Sequence, residues 1–399
     1  MIDRRGFIRL SGMAGAMSLP VTRLALADAP GEARYVLVIL RGGMDGLAAV
    51  PAYSDRNYRK LRGTLTLPEP GEEGGVLDID GYFGLHPSFS NLYRIFNEGD
   101  ALIVHNVASP YRERSHFDGQ KLLENGTSSP LGADDGWLNR TLGVLPSHDL
   151  RSAIAMAQNV PLVLYGENPV NSWSPAVLPE LRDDTMTRVM RMYEDDEFLM
   201  TQLQSSITTR DMAGDVSMAE SQQQRRGRDQ VMVYVNATAN FLVDPDGARI
   251  AVLELSGWDS HANQGAANGQ LANQFRFLDE GLLALKNALG RYWKNTVISI
   301  VTEFGRTVAV NGTNGTDHGT ASVAFLIGGA VNGGRLITDW PGLSSNDLYE
   351  GRDLKPGVDM RSLFKSVLHD HLNVSNASIE TKIFPDSNKA GYISDLIKG

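Results

Sequence analysis

Residues 295–329, NTVISIVTEFGRTVAVNGTNGTDHGTASVAFLIGG, hold two apolar runs with a polar, glycine-rich loop between them. The run 297–301 is rich in β-branched residues and too short for an ordinary helix, which predicts a strand buried on both faces. It stops at Thr302-Glu303-Phe304-Gly305-Arg306, so a carboxylate and a guanidinium arrive where the strand ends. A Gly/Asn-rich loop then leads to Asp317-His318-Gly319 and a second run, 322–327, closed by Gly328-Gly329. Open α/β sheets bind ligands outside the carboxyl ends of their strands, so Glu303, Arg306, Asp317 and His318 form a site candidate. The competing reading is a polar hairpin loop closed by an Arg306–Glu303 ion pair.

The same grammar recurs upstream. Residues 249–255 predict a strand ending in Ser256-Gly257-Trp258-Asp259-Ser260-His261, where Asp259 and His261 have the spacing of metal ligands and equally of an ordinary loop pair. A helix over 270–289 follows, apolar at Leu271, Phe275, Leu278, Leu282 and Leu285. Near the start, RYVLVIL (34–40) runs into Arg41-Gly42-Gly43-Met44-Asp45-Gly46. Its glycines permit a tight turn, and Asp45 is either a site carboxylate or a turn residue. The strand ALIVHNV (101–107) leads to Ser115-His116-Phe117-Asp118-Gly119-Gln120 and a helix stopped by Gly126. Ser115 either caps that helix, with Asp118 closing the box, or offers its hydroxyl at the positive end of the helix dipole, where an anion binds. Arg112 and Arg114 flank it.

Residues 161–164 predict a further strand. Residues 179–240 turn charged and rich in Met, Gln and Arg, with Met186, Val189, Met190 and Tyr193 at helical spacing, and read as a helical insertion. The tail 358–372 predicts a helix with His369 and His371 on its solvated end. Strands alternating with helices predict an α/β fold, a mostly parallel sheet flanked by helices.

The 399 residues suit one large α/β domain with a helical insertion, and no solenoid or propeller period is visible. A net charge of −10 argues against a general nucleic-acid binder. With no cysteine, disulfides, thiolate ligands and a thiol nucleophile are excluded, and any metal must be held by His, Asp, Glu and neutral oxygens. Asp3-Arg4-Arg5-Gly6-Phe7-Ile8-Arg9, a weakly apolar 10–19 and Ala25-Leu26-Ala27 form a twin-arginine signal pattern, 1–27, ahead of one domain, 28–399. Its apolar stretch is too short and too rich in Gly and Ser to span a bilayer, so no transmembrane segment is expected in the mature chain. Periplasmic or secreted location and the twin-arginine translocase as export partner follow from this reading.

The twin-arginine start together with RGGMDGL, RSHFDGQ, LSGWDSHANQG, TEFGRT and TDHGTASVAFLIGGAVNGG resembles the bacterial family called domain of unknown function 1501. That family is similar to the alkaline phosphatase and sulfatase superfamily, so the resemblance implies an alkaline phosphatase-like fold. Carried over residue by residue, it makes Ser115 the nucleophile and Asp45, Asp259, His261 and His318 metal ligands. The superfamily's adjacent Asp-His pair falls on Glu303-Phe304, and phenylalanine cannot ligate; Asp317-His318 can supply the pair instead. His116 is the implied general acid, and Arg41, Arg114 and Arg306 the anion binders. The ion would be divalent, zinc or manganese favoured and calcium or magnesium open. The function expected is hydrolysis of a small phosphate or sulfate ester. The alternative is a non-catalytic envelope protein binding a polysaccharide or partner, with Trp137, Trp173, Trp258 and Trp340 stacking on sugars.

Overall fold

The computed structural model describes residues 32–145, 152–175, 196–213 and 227–399, with a few positions between 186 and 193. The signal pattern at 1–27 and much of the segment 179–226 lie outside the described residues.

Among the described residues nine strands form one sheet: β1 Arg34–Arg41, β2 Ala101–Ala108, β3 Ala153–Met156, β4 Asn171–Ser172, β5 Ile250–Ser256, β6 Thr296–Val301, β7 Ser322–Ile327, β8 Arg335–Ile337 and β9 Val358–Asp359. Their order is β8-β2-β7-β6-β1-β5-β3-β4, with β9 also pairing β2. All pairs are parallel except those of β7, which runs antiparallel to both β2 and β6. The fold is therefore a mostly parallel sheet, flanked by helices that include α1 Ser90–Asn97, α2 His116–Asn125, α3 Glu197–Ala213, α4 Arg228–Val243, α5 Gln270–Leu289 and α6 Met360–Asp370.

The alternation along β1 shows why its run is continuously apolar. Val36, Val38 and Leu40 join one core with Phe275, Leu278 and Leu282 of α5, while Tyr35, Leu37 and Ile39 join the other with Leu363, Phe364 and Val367 of α6. Successive strand side chains point to opposite faces, and here both faces are covered.

The reversed direction of β7 positions the chemistry. A parallel partner would need a crossover and would begin at the opposite edge of the sheet. Because β7 runs back beside β6, its amino end shares an edge with the carboxyl ends of β1, β2, β5 and β6, and His318 arrives at that edge.

Several local expectations are corrected. The expected strand at 161–164 is a short 3-10 helix, Leu162–Leu164, and the strand nearby is β3. Proline leads that turn, and Val163 and Leu164 pack in the core containing Trp137 rather than in the sheet. His371 is buried, not solvated, with its Nε2 2.9 Å from the Arg34 carbonyl; His369 is exposed beside Asp370. Trp137 and Trp258 are core residues with 0% and 1% exposure, so neither can stack on a sugar. Among the described residues no helix is long and apolar enough to cross a membrane.

A candidate metal centre at the strand ends

Four side chains from three loops meet at the shared edge. His116 opens α2, Asp259 and His261 follow β5, and His318 precedes β7. His116 Nε2 lies 3.0 Å from His318 Nε2, and His261 Nε2 lies 2.9 Å from the same atom. Asp259 Oδ1 is 3.0 Å from His261 Nε2 and 3.5 Å from His318 Nε2, and Oδ2 is 3.5 Å from His116 Nε2. One ligating atom from each of His116, Asp259 and His318 lies within 4.8 Å of the others.

What stands behind each ring decides which nitrogen carries its proton. His116 Nδ1 is 2.7 Å from Glu303 Oε1, His318 Nδ1 is 2.9 Å from the Arg114 carbonyl, and His261 Nδ1 is 3.4 Å from Asp317 Oδ1. Each of these oxygens accepts, so each Nδ1 donates and the neutral rings turn their Nε2 lone pairs toward one another. A carboxylate or carbonyl behind an imidazole is the usual support of a metal-binding histidine. One proton between His116 and His318 would relieve one contact, but His318 Nε2 faces two rings. A single cation can satisfy the lone pairs of His116 and His318 together with Asp259, with His261 standing beside them, so these residues fit a divalent ion.

The loops reach this arrangement by close backbone approach. Gly42, at φ +125°, packs so tightly that a Cβ would sit 2.5 Å from the Asp259 amide nitrogen, and one at Gly315 would sit 2.3 Å from the His261 carbonyl carbon. Both positions require glycine.

Electrostatics match the geometry. The Glu303 hydrogen bond raises the His116 pKa despite burial. Burial, with the charge of His116, lowers that of His318. Burial opposes ionisation of Glu303, yet bonds from His116, Gln120 and the Gly42 amide hold its pKa below the usual range. Asp259 is likewise disfavoured by burial, and the Arg306 guanidinium outweighs that and lowers its pKa.

The family model described as "Protein of unknown function (DUF1501)" matches residues 100–383. The chain belongs to the DUF1501 family. Comparison with curated proteins yields no match. Among solved structures, this DUF1501 chain is similar to the periplasmic domain of EcEptC from Escherichia coli in complex with zinc, at 11% identity and TM-score 0.43, covering 92% of each chain. It is also similar to a phosphonate monoester hydrolase of Agrobacterium radiobacter, at 13% identity and TM-score 0.38, covering 86% of this chain and 74% of that one. Murine ectonucleotide pyrophosphatase/phosphodiesterase 5 with AMP matches at 10% identity and TM-score 0.39, covering 86% and 96%.

Other residues expected at the site sit differently in this DUF1501 structure. Asp45 does not join the histidines: its carboxylate caps the short helix Gly46–Ala49 through the Ala48 amide and is held by Arg62 at 2.5 Å and Gln264 at 2.7 Å. Glu303 faces Nδ1 of His116, so it backs that ring and is not placed among the converging Nε2 atoms; Asp317 stands in the same relation to His261. Arg306 is buried, 2.7 Å from Asp259 Oδ1, and also bonds the Thr316 carbonyl, so it holds Asp259 rather than meeting a ligand. Arg41 pairs with Glu124 and Glu254, and Arg114 with Glu350 and Asp353. His116, expected as a general acid, shares the Nε2 cluster. Ser115 is the N-cap residue of α2 by position but makes no side-chain capping bond; its amide donates to the Tyr111 hydroxyl. Phe304 is 3% exposed with its ring centroid 4.7 Å from that of His116, a wall in place of a ligand. Gln120, Gln264, Arg62 and Tyr111 were not singled out as partners, because their roles depend on contacts no local motif reveals.

Proposed function

We propose that this protein is a metal-dependent hydrolase of phosphate or sulfate esters, with one divalent ion held by His116, His318 and Asp259 and with His261 drawn onto it from beside His318. The observation that carries it is the meeting of three imidazole Nε2 atoms at 2.9 and 3.0 Å, each ring backed by an acceptor at Nδ1. Imidazole with carboxylate suits zinc or manganese best. An ion bound there would supply Lewis-acid stabilisation of developing oxygen charge and lower the pKa of a nearby hydroxyl or water.

The chain's own groups frame the rest. Ser115 Oγ has no capping bond and stands at the amino end of α2, where the first helical N–H groups favour an anion. It is the candidate nucleophile. Glu303 and the Arg114 carbonyl fix the His116 and His318 rings, Arg306 fixes Asp259, and Phe304 keeps water from the inner side of the cluster. The rival sugar-stacking reading loses two of its four tryptophans to the core. Export by the twin-arginine route, and hence a periplasmic or secreted site of action, is part of this proposal and rests on Arg4 and Arg5.

Metal analysis and turnover together test it. The full chain purified without chelator should carry stoichiometric divalent metal, His261→Ala should lower metal content and stability together, and Ser115→Ala should abolish turnover of an aryl phosphate or sulfate while retaining the metal. Metal-free wild type that gains no stability from zinc, manganese, magnesium or calcium would refute the proposal.

A further inference from the structure

Among the described residues, eight that are not glycine have a left-handed backbone, a conformation that residues with a Cβ rarely adopt. Six of them are Asn or Asp, whose short polar side chains tolerate it through local hydrogen bonds. The other two are Arg114, at φ +62°, and Glu350, at φ +54°, and they form an ion pair with each other. Strain of this kind persists only where the surrounding structure over-determines it. At Arg114 the consequence reaches the site, because the carbonyl of this residue is the acceptor for His318 Nδ1 at 2.9 Å.

Two carboxylates hold the Arg114 side chain, and they differ in strength. Its Nε donates to Asp353 Oδ2 at 2.9 Å, and its Nη2 lies 2.8 Å from the same oxygen. Glu350 is more than half exposed, so its pair with Arg114 is weak. Asp353 is fully buried, and its Oδ1 has no hydrogen bond, only the Arg352 guanidinium at 3.3 Å. Asp353 is in turn fixed to the loop that carries His318. Its backbone exchanges hydrogen bonds with Tyr349 at 2.9 and 3.0 Å and lies in an antiparallel bridge with Thr307. The Thr307 amide donates to the Asp317 carbonyl at 2.9 Å, and Thr307 Oγ1 accepts from the Asp317 amide at 3.0 Å. The contacts therefore close a ring, from His318 to the Arg114 carbonyl, along the Arg114 side chain to Asp353, and back through Thr307 and Asp317.

We infer that Asp353 is a positioning residue for the candidate metal centre: by holding the Arg114 side chain it keeps the left-handed turn whose carbonyl fixes the His318 ring. An acceptor behind an imidazole sets its tautomer and orientation, here with the proton on Nδ1 and the Nε2 lone pair turned toward His116 and Asp259. If the Arg114 backbone relaxes to an ordinary conformation, that carbonyl turns away and the proton is free to move to Nε2, where it blocks an ion. The inference rests on the metal-ion reading of the site and on no particular substrate.

Variants of the full chain separate this role from general support of the fold. Asp353→Ala should weaken zinc binding by about 10–100-fold, as loss of a partner behind a metal-binding histidine does. Adding Arg114→Gly should restore most of the affinity, because glycine takes φ +62° with no side chain to anchor it. Adding Arg114→Ala should not, because alanine is strained there. Both double variants lack the ion pair and leave neither charge buried alone, so they differ only in what the backbone at position 114 prefers. Asp353→Asn, which fills the same space, replaces Asp353→Ala in both if the cavity prevents folding. Competition with a chromogenic chelator reads zinc affinity, and NMR of the chelated proteins with ¹⁵N-labelled histidine reads the His318 tautomer. The proton should sit on Nδ1 in wild type and in the glycine double variant, and shift toward Nε2 in the other two. Equal affinity and tautomer in the two double variants, or an Asp353→Ala protein that matches wild type, overturns the inference and leaves the metal site standing. A wild type that binds no zinc refutes the metal reading instead, and the role of Asp353 then stands or falls on the tautomer alone.

Discussion

Replacing Glu303 by glutamine separates support of a ligand from support of the fold. The carboxylate is fully buried and receives four donors: Oε1 faces His116 Nδ1 at 2.7 Å and accepts from the Gly42 amide at 2.9 Å and Gln120 at 3.1 Å, while Oε2 accepts from Thr302 at 3.0 Å. Glutamine can keep its oxygen on the crowded side and turn one N–H toward Thr302 Oγ1, at the cost of leaving its second N–H without a partner. Three charge-assisted bonds become neutral ones, for a stability loss of roughly 1–3 kcal/mol. Metal affinity should fall further. Without the carboxylate behind it, His116 is a poorer base and a looser ring, and loss of such a partner typically costs about 10–100-fold in affinity. Competition with a chromogenic chelator reads the affinity, and urea denaturation of the chelated protein reads the stability. A folded Glu303→Gln protein with wild-type metal affinity would refute the claim that Glu303 acts through His116.

Two further outcomes are expected. Burial drives the His371 pKa down from 6.5 to about 4. The unfolded chain then binds the extra proton between those values, so stability is complete above about pH 6.5 and falls by up to about 3 kcal/mol as pH drops to 4. His371→Gln should flatten that part of the pH–stability profile, and an unchanged slope would count against it. For export, Arg4→Lys with Arg5→Lys should leave precursor in the cytoplasm, since the pair is read as a unit; normal appearance in the periplasmic fraction would remove the twin-arginine assignment.

The long elements were legible because burial writes itself into composition. β1, β6 and β7 are covered on both faces and so read as unbroken apolar runs, and α5 has Leu271, Phe275, Leu278, Leu282 and Leu285 alternating by four and three on its buried face. β3 was missed for the converse reason. Four residues, Ala153–Met156, carry little signal beside the more apolar 161–164, whose leading proline disposes it to a turn. The direction of β7 was also invisible, since a buried strand reads alike whichever way it runs.

At the site, positions were legible and partnerships were not. A polar residue beyond a strand end can ligate, support a ligand or cap a helix, and only its partners decide between them. Asp45 finds Arg62 and Gln264 and becomes a buried anchor, while Glu303 finds His116 and becomes its support. Phe304 has the largest consequence. Its ring lies 4.7 Å from that of His116 and 5.2 Å from that of His318, occupying space where a ligating side chain would extend the cluster. With Asp45 committed elsewhere as well, the described residues bring the ligating atoms of His116, Asp259 and His318 within 4.8 Å of one another, with His261 beside them. The Phe304 wall and the commitment of Asp45 to Arg62 and Gln264 thus leave the proposed site with donors for one ion.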